Sequence, residues 1–242
     1  MIVYGSSLSP FVRKVMVFAA EKGLEVRLKG GGFGQGGEEF AEASPFGKIP
    51  GFRDPGADAG RDFTISDSSA IVAYLEAKRP APPLIPADPI GRARATWWDE
   101  FADTMLFAAA QPIFFNRFVL PRAMGREGDE AAAARAEREM LPPVMDYLER
   151  TVAEAGGFLV GEALTLADLA VVSPFVNLMH VGIYPAPDRP PSAGLRPATS
   201  PAEAGEEFRR WPRTFAWVAS ILARPSFAAA MEKDRRLIGR LG

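Results

Sequence analysis

The feature that most constrains the fold is a proline-rich passage, Arg79-Pro80-Ala81-Pro82-Pro83-Leu84-Ile85-Pro86, one third of the way along the chain. Such a segment neither continues a helix nor joins a sheet ladder, so it marks a domain boundary. The two sides of it read differently. Before it, short apolar runs alternate with helical segments. Met1-Ile2-Val3-Tyr4 reads as a buried strand, Pro10 to Lys22 as a helix closed by Gly23, and Glu25-Val26-Arg27-Leu28 as a second strand. Gly30 to Gly37 reads as loop. Ile49-Pro50-Gly51-Phe52 and Phe63-Thr64-Ile65 read as a strand pair around a turn-rich excursion from Asp54 to Asp62, and Ser66 to Lys78 as an amphipathic helix. That order is α/β, of the thioredoxin-like kind.

After the passage everything reads helical. Arg92 to Ala110 is followed by Pro112, which is expected to bend or end it. Asp129 to Glu154 carries an expected break at Pro142-Pro143, and Leu166 to Met179 is almost wholly apolar, hence a central buried helix. Ala186 to Pro201 reads as an irregular insertion, and Trp211 to Ala223 and Ser226 to Leu237 as the last helices. The expected division is 1–79, a linker at 80–88, and an all-α domain at 89–242.

Composition removes several chemistries. With no cysteine there is no thiol nucleophile, structural disulfide or Cys-ligated zinc. The lone histidine, His180, argues against a His-ligated metal and against a Ser-His-Asp triad, so no metal is expected. A formal net charge of -2 gives no electrostatic case for nucleic acid or an anionic membrane surface. The chain has neither an apolar run of transmembrane length nor a signal-peptide pattern at its start, so a cytoplasmic location is expected.

Three short elements carry candidate chemistry, and each has two readings. Ser9-Pro10 at a strand-to-helix junction is an ordinary N-cap with proline at the first helical position. It is also a hydroxyl beside unpaired helix N–H groups, suited to a bound anion such as a thiolate. In Phe46-Gly47-Lys48-Ile49-Pro50, the proline marks an edge strand, or it is cis. In the cis case the Ile49 N–H and C=O are free to pair with an extended peptide, with Lys48 near a ligand carboxylate. Ser66-Asp67-Ser68-Ser69 is plain helix-start chemistry. Alternatively, Asp67 accepts from a ligand ammonium while Ser68 holds a carboxylate at the positive helix end.

Taken in order, these elements resemble the cytosolic glutathione transferase family over nearly the whole length. Ser9-Pro10-Phe11 with Arg13-Lys14-Val15 and Glu21-Lys22-Gly23-Leu24 is similar to its serine-type classes (tau, phi and theta-like, bacterial members included). Pro45 to Pro50 matches the family's cis-proline loop, and Asp67-Ser68 its acid-Ser pair for the γ-glutamyl head. Gly161 to Asp168 is similar to the family's folding motif in the helical domain. Trp211-Pro212, Trp217 and Ala223-Arg224-Pro225-Ser226-Phe227 resemble its C-terminal pattern.

The resemblance implies a thioredoxin-like domain followed by an all-α domain, glutathione as co-substrate, and a homodimer. It makes Ser9 the donor to the glutathione thiolate, with Lys48, Ile49, Pro50, Asp67 and Ser68 binding the tripeptide. It also places an apolar electrophile pocket between the domains, for which Phe11, Phe107, Phe114, Phe115 and Tyr184 are candidates. Detoxification by conjugation, peroxide reduction, and ether or halide cleavage all remain open, as does a non-catalytic binding protein sharing the fold. Tyr4, a competing hydroxyl, reads as packing. Thr165 and Asp168 read as a capping box, structural and not catalytic.

Overall fold

A computed structural model describes residues 1–32, 34–152, 157–183 and 210–240. The first strand, β1 (Ile2–Tyr4), leads through a loop into helix α1 (Pro10–Glu21), and β2 (Arg27–Lys29) returns parallel to β1. Gly23, at φ +65°, lets the chain reverse after α1, its N–H donating to the Ala20 carbonyl. A short helix α2 (Gly37–Ala43) follows, then the antiparallel hairpin β3 (Gly51–Asp58) and β4 (Arg61–Ser66), then helix α3 (Ser68–Lys78). The four strands lie in the order β2-β1-β3-β4, with β3 antiparallel to β1. This is a thioredoxin-like βαβαββα layer.

Several expectations shift here. The second strand starts two residues later, at Arg27. Glu38, Glu39 and Phe40 belong to α2, which the glycine-rich stretch before them had hidden. The excursion at Asp54 to Asp62 is mostly strand, because a register shift between Asp54 and Asp58 absorbs Pro55 and Gly56. The reversal itself is confined to Ala59-Gly60, both at positive φ. Ser66 ends β4, and the N-cap of α3 is Asp67.

Beyond residues 79–88 the described chain is helical. Helix α4 (Pro89–Glu100) runs on through a π-helical stretch (Phe101–Leu106), α5 (Phe107–Phe114) and a second π-helical stretch (Phe115–Ala123). Pro112 therefore sits inside a helix and does not end it. Asn116 reaches back to cap the Pro112 carbonyl at 2.8 Å, and the wider turn that follows houses Pro121. Helix α6 (Glu130–Arg135) passes through a third π-helical stretch (Ala136–Met140) into α7 (Leu141–Thr151). The break expected at Pro142-Pro143 is taken up by that wide turn. Helix α8 (Leu166–His180) is buried on all sides, and α9 (Pro212–Leu222) and α10 (Pro225–Ile238) close the structure. No helix among the described residues is long and apolar enough to cross a membrane. The insertion at 186–201 lies outside the described residues.

Helix α1 holds the two halves together. It packs on α3 on one side and on α8 and α10 on the other. Its apolar residues Val12, Val15, Val17 and Phe18 are wholly buried in one continuous core with Leu169, Val172 and Phe175 of α8. Two sequence motifs turn out to be partners: Glu21 accepts from the Arg224 guanidinium at 2.8 Å twice and from the Ser226 hydroxyl. Lys22, fully buried, pairs with Glu76 and donates to the Pro80 and Pro82 carbonyls, fixing the connecting passage.

Candidate functional site

Between the halves lies a cleft of about 1570 Å³. Its floor is the β1–α1 junction, residues 5–11. Ser9 has extended backbone angles and caps α1, its Oγ accepting from the Val12 N–H at a long 3.4 Å. Accepting that bond leaves the hydroxyl proton free to donate into the cleft. The cap reading of Ser9 thus holds, and the same geometry leaves room for the donor reading.

Across the floor, the Ile49–Pro50 peptide bond is cis. Ser44 donates to the Lys48 carbonyl at 2.6 Å, which fixes the turn. Among the described residues nothing bonds the Ile49 N–H or C=O. Lys48 is exposed at the same edge, and both it and Ile49 line the cleft.

The third corner departs from expectation in its detail. Asp67 sits at φ +83°, a strained angle for a residue with a side chain, held there by its own cap. Its Oδ1 accepts from the Ser69 and Ala70 N–H groups at 2.9 and 3.1 Å. Ser68 is buried and donates to Asp103 Oδ2 at 3.3 Å. Asp103, with Asp99 one turn before it, comes from the helical half. Between them the Lys14 ammonium bonds both carboxylates at 2.6 Å, and Ser69 Oγ donates to Asp99 at 2.7 Å. Asp103 keeps 18% of its side chain exposed and lines the cleft. Burial pushes its carboxyl up to about 6; Lys14 opposes that shift and Asp99 adds to it. Sequence reading missed this acid, because its partners stand 89 and 35 residues away.

Beneath the floor lies a second polar cluster, its charges buried and its Ser7 and Asn177 at the edge of the cleft. Arg13 donates to the Ser7 and Ser173 carbonyls at 3.1 and 2.8 Å, to Asn177 Oδ1 at 2.7 Å and to Asp234 Oδ2 at 2.7 Å. The Asn177 amide donates in turn to the Leu8 carbonyl at 2.8 Å. Two successive carbonyls of the loop before Ser9 are therefore held, that of Ser7 by Arg13 of α1 and that of Leu8 by Asn177 of the helical half. Burial would raise the Asp234 carboxyl, but the Arg13 charge and His180 hold it below the usual range.

Phe11, Phe107, Phe114 and Phe115 all line the cleft, with the Phe11 and Phe107 rings 4.6 Å apart. Tyr184 lies outside the described residues. Tyr4 is 1% exposed and donates its hydroxyl to Glu39 at 3.0 Å, so it takes no part in the cleft lining. Thr165 and Asp168 form the reciprocal capping box at the start of α8, the Thr165 N–H donating to Asp168 Oδ2 at 2.9 Å. Asp168 also accepts from the Leu159 N–H, is fully buried, and stands far from the cleft lining.

Comparison with known proteins bears on the fold and the family. Residues 3–83 match the family model "Glutathione S-transferase, N-terminal domain", and residues 119–191 match "Glutathione S-transferase, C-terminal domain". Glutathione S-transferase 3 of Zea mays is 30% identical over 93% of this chain and 90% of its own length. A glutathione S-transferase of Hyoscyamus muticus is 27% identical over 96% of this chain and 98% of its own. The solved glutathione S-transferase of Methylobacterium radiotolerans, in complex with glutathione sulfonate, superimposes with a TM-score of 0.65. It is 25% identical, covering 95% of this chain and 93% of that one.

Proposed function

The chain belongs to the glutathione S-transferase family, and from that premise we propose that it is a serine-type transferase using Ser9 to hold the glutathione thiolate. The observation that carries this reading is the hydroxyl proton of Ser9, free to donate at the N-terminus of α1, in the same cleft as the unbonded Ile49 backbone and the Asp103 corner. The glutathione sulfonate complex of the Methylobacterium relative supports the ligand.

A free thiol of pKa about 8.5 is only a few per cent ionised at neutral pH. A hydroxyl donor and a helix N-terminus both favour the charged form. A shift of about two units makes thiolate the major species and corresponds to about 2.7 kcal/mol. Ser9 forms no covalent bond in this scheme. Ile49 pairs with the cysteinyl backbone as an added strand would, and Lys48 meets the glycine carboxylate. The Ser68 N–H, at the start of α3, meets the γ-glutamyl carboxylate. Asp67 spends one oxygen on its cap, so Asp103 shares with it the γ-glutamyl ammonium. No metal enters. The thiolate attacks a small apolar electrophile seated on the Phe11–Phe107 wall, and the same species serves peroxide reduction or ether and halide cleavage.

A two-fold dimer in the cytoplasm completes the reading. Its supporting observation is the exposure of Phe46 (90%), Met105 (54%) and Trp97 (42%), large apolar groups that a partner subunit would cover. The domain division at residues 80–88 belongs to the same proposal.

The test is Ser9→Ala. Turnover is expected to fall about 100-fold while glutathione binding stays within about twofold, as when one donor to a developing anion is removed. Unchanged turnover removes Ser9 from the mechanism. No calorimetric signal at millimolar glutathione moves the chain to the non-catalytic proteins that share the fold.

A further inference from the structure

The cleft exceeds the 300–1,000 Å³ typical of a small-molecule site, and its charges are sorted. Its three acids, Asp67, Glu100 and Asp103, belong to the α3–α4 side. A different wall comes from the last helix. Lys233, Arg236 and Leu237 follow the spacing i, i+3, i+4, which puts them on one face, and Arg240, in the turn just beyond the helix end, lines the cleft with them. The acids near them do not cancel this charge. Glu232 is shared between Arg235 and Arg236, and Asp234 is buried against Arg13. Lys233 and Arg240 have no charged partner among the described residues. One cleft thus holds the Ser9 junction, the Phe11–Phe107 pair and a set of cations from the last helix and its end.

We propose that these cations select a second substrate that carries an acid: an aromatic electrophile with an anionic substituent, its ring on Phe11 and Phe107 and its anion at Lys233 and Arg240. The inference rests on the glutathione reading above and adds the substrate class. Exposed cations give little binding energy singly, but a cleft lined by one sign of charge concentrates the opposite ion and speeds its capture. The preference is therefore expected to be about tenfold in kcat/KM and to weaken with salt.

The probe is 4-chloro-3,5-dinitrobenzoate against its methyl ester. In both, the glutathione sulfur bonds to the chlorine-bearing carbon, chloride leaves with the C–Cl electron pair, and the thiol proton passes to buffer. Each enzymatic rate is divided by the uncatalysed rate with glutathione, which removes the different intrinsic reactivity of the two compounds. The acid is expected to be favoured about tenfold at low ionic strength. The preference should shrink toward parity at high salt and in the double variant Lys233→Gln, Arg240→Gln. Both side chains are exposed, and glutathione binding by calorimetry checks that the variant is folded. Equal normalised rates for acid and ester in the wild type overturn the inference alone. So does a variant that keeps the acid preference, or one in which only the KM for glutathione rises, which would assign the cations to the glycine carboxylate. Absence of turnover with both compounds, together with a silent glutathione titration, overturns the glutathione reading and this inference with it.

Discussion

Arg13 and Lys14 are neighbours on α1, both about 1% exposed, both paired with acids of the helical half, yet their surroundings differ in kind. The Arg13 cluster keeps its charges inside: the guanidinium bonds Asp234, Asn177 and the Ser7 and Ser173 carbonyls, Asn177 bonds the Leu8 carbonyl, and Arg13 and Asp234 are both almost fully buried. The Lys14 cluster is open at one point, where Asp103 breaks into the cleft beside Ser68. The first holds the loop that carries Ser9. The second presents a carboxylate whose charge changes near neutral pH. Adjacent residues with similar partners thus divide into a scaffold and a surface for a ligand, and what separates them is whether the paired acid itself reaches the cavity, as Asp103 does and Asp234 does not.

Replacing Arg13 is the hardest blow to this contrast. Arg13→Met leaves Asp234 buried with only His180 beside it, and strips the Ser7 and Ser173 carbonyls of a donor. Stability in a denaturant titration should drop by about 3–5 kcal/mol, and Arg13→Lys, lacking the planar fork, should restore only part of it. A loss under about 1 kcal/mol would show that the cluster is not a unit.

Asp103 supplies the intermediate effect. Glutathione affinity should fall as pH drops through about 6, approaching tenfold per pH unit, because the protonated acid no longer accepts the ammonium. Asp103→Asn should lower affinity about tenfold at pH 7 and flatten that profile. The sign on stability is the reverse. The folded state holds this proton more tightly than the unfolded chain, so Asp103 makes stability fall as pH rises from about 4 to 6. An identical pH profile in the Asn variant would return Asp103 to the scaffold.

Thr165→Ala marks the small end. Its two residues are buried and are not among those lining the cleft, so the loss of the cap should cost about 1 kcal/mol in a thermal or chemical melt and leave glutathione binding unchanged. An unaltered melt would mean that Asp168 alone, through its bonds to Leu159 and Thr165 N–H, starts α8.

What the sequence made legible was local. The strand β1, the proline-capped α1, the buried α8 and the Thr165–Asp168 box each announce themselves within a few residues, because caps and periodicity are short-range effects. The hairpin was harder. Asp54-Pro55-Gly56 has the chemistry of a turn, and only pairing with β4 shows it as a strand irregularity. Pro112 and Pro142-Pro143 mislead for a related reason, since a proline forbids the ordinary turn but not the wider π-helical one beside it. Ser9, Lys48, Ile49, Asp67 and Ser68 could be singled out from their own segments. Asp99, Asp103, Asn177 and Asp234 could not, for each matters only through a partner in the other half of the chain.

The same long-range pairing bears on how such a protein can be recombined. Arg13, Lys14, Glu21 and Lys22 lie on or next to one helix of the first half, and their partners are Asp234, Asp99 and Asp103, Arg224, and the connecting passage. A crossover at residues 79–88 looks benign on the page, yet it would separate three of these charges, Arg13, Lys14 and Glu21, from their counter-charges. Grafting a foreign helical half onto this sheet would therefore have to carry α1 along with it, so the inherited module ends at Gly23 and not at the prolines.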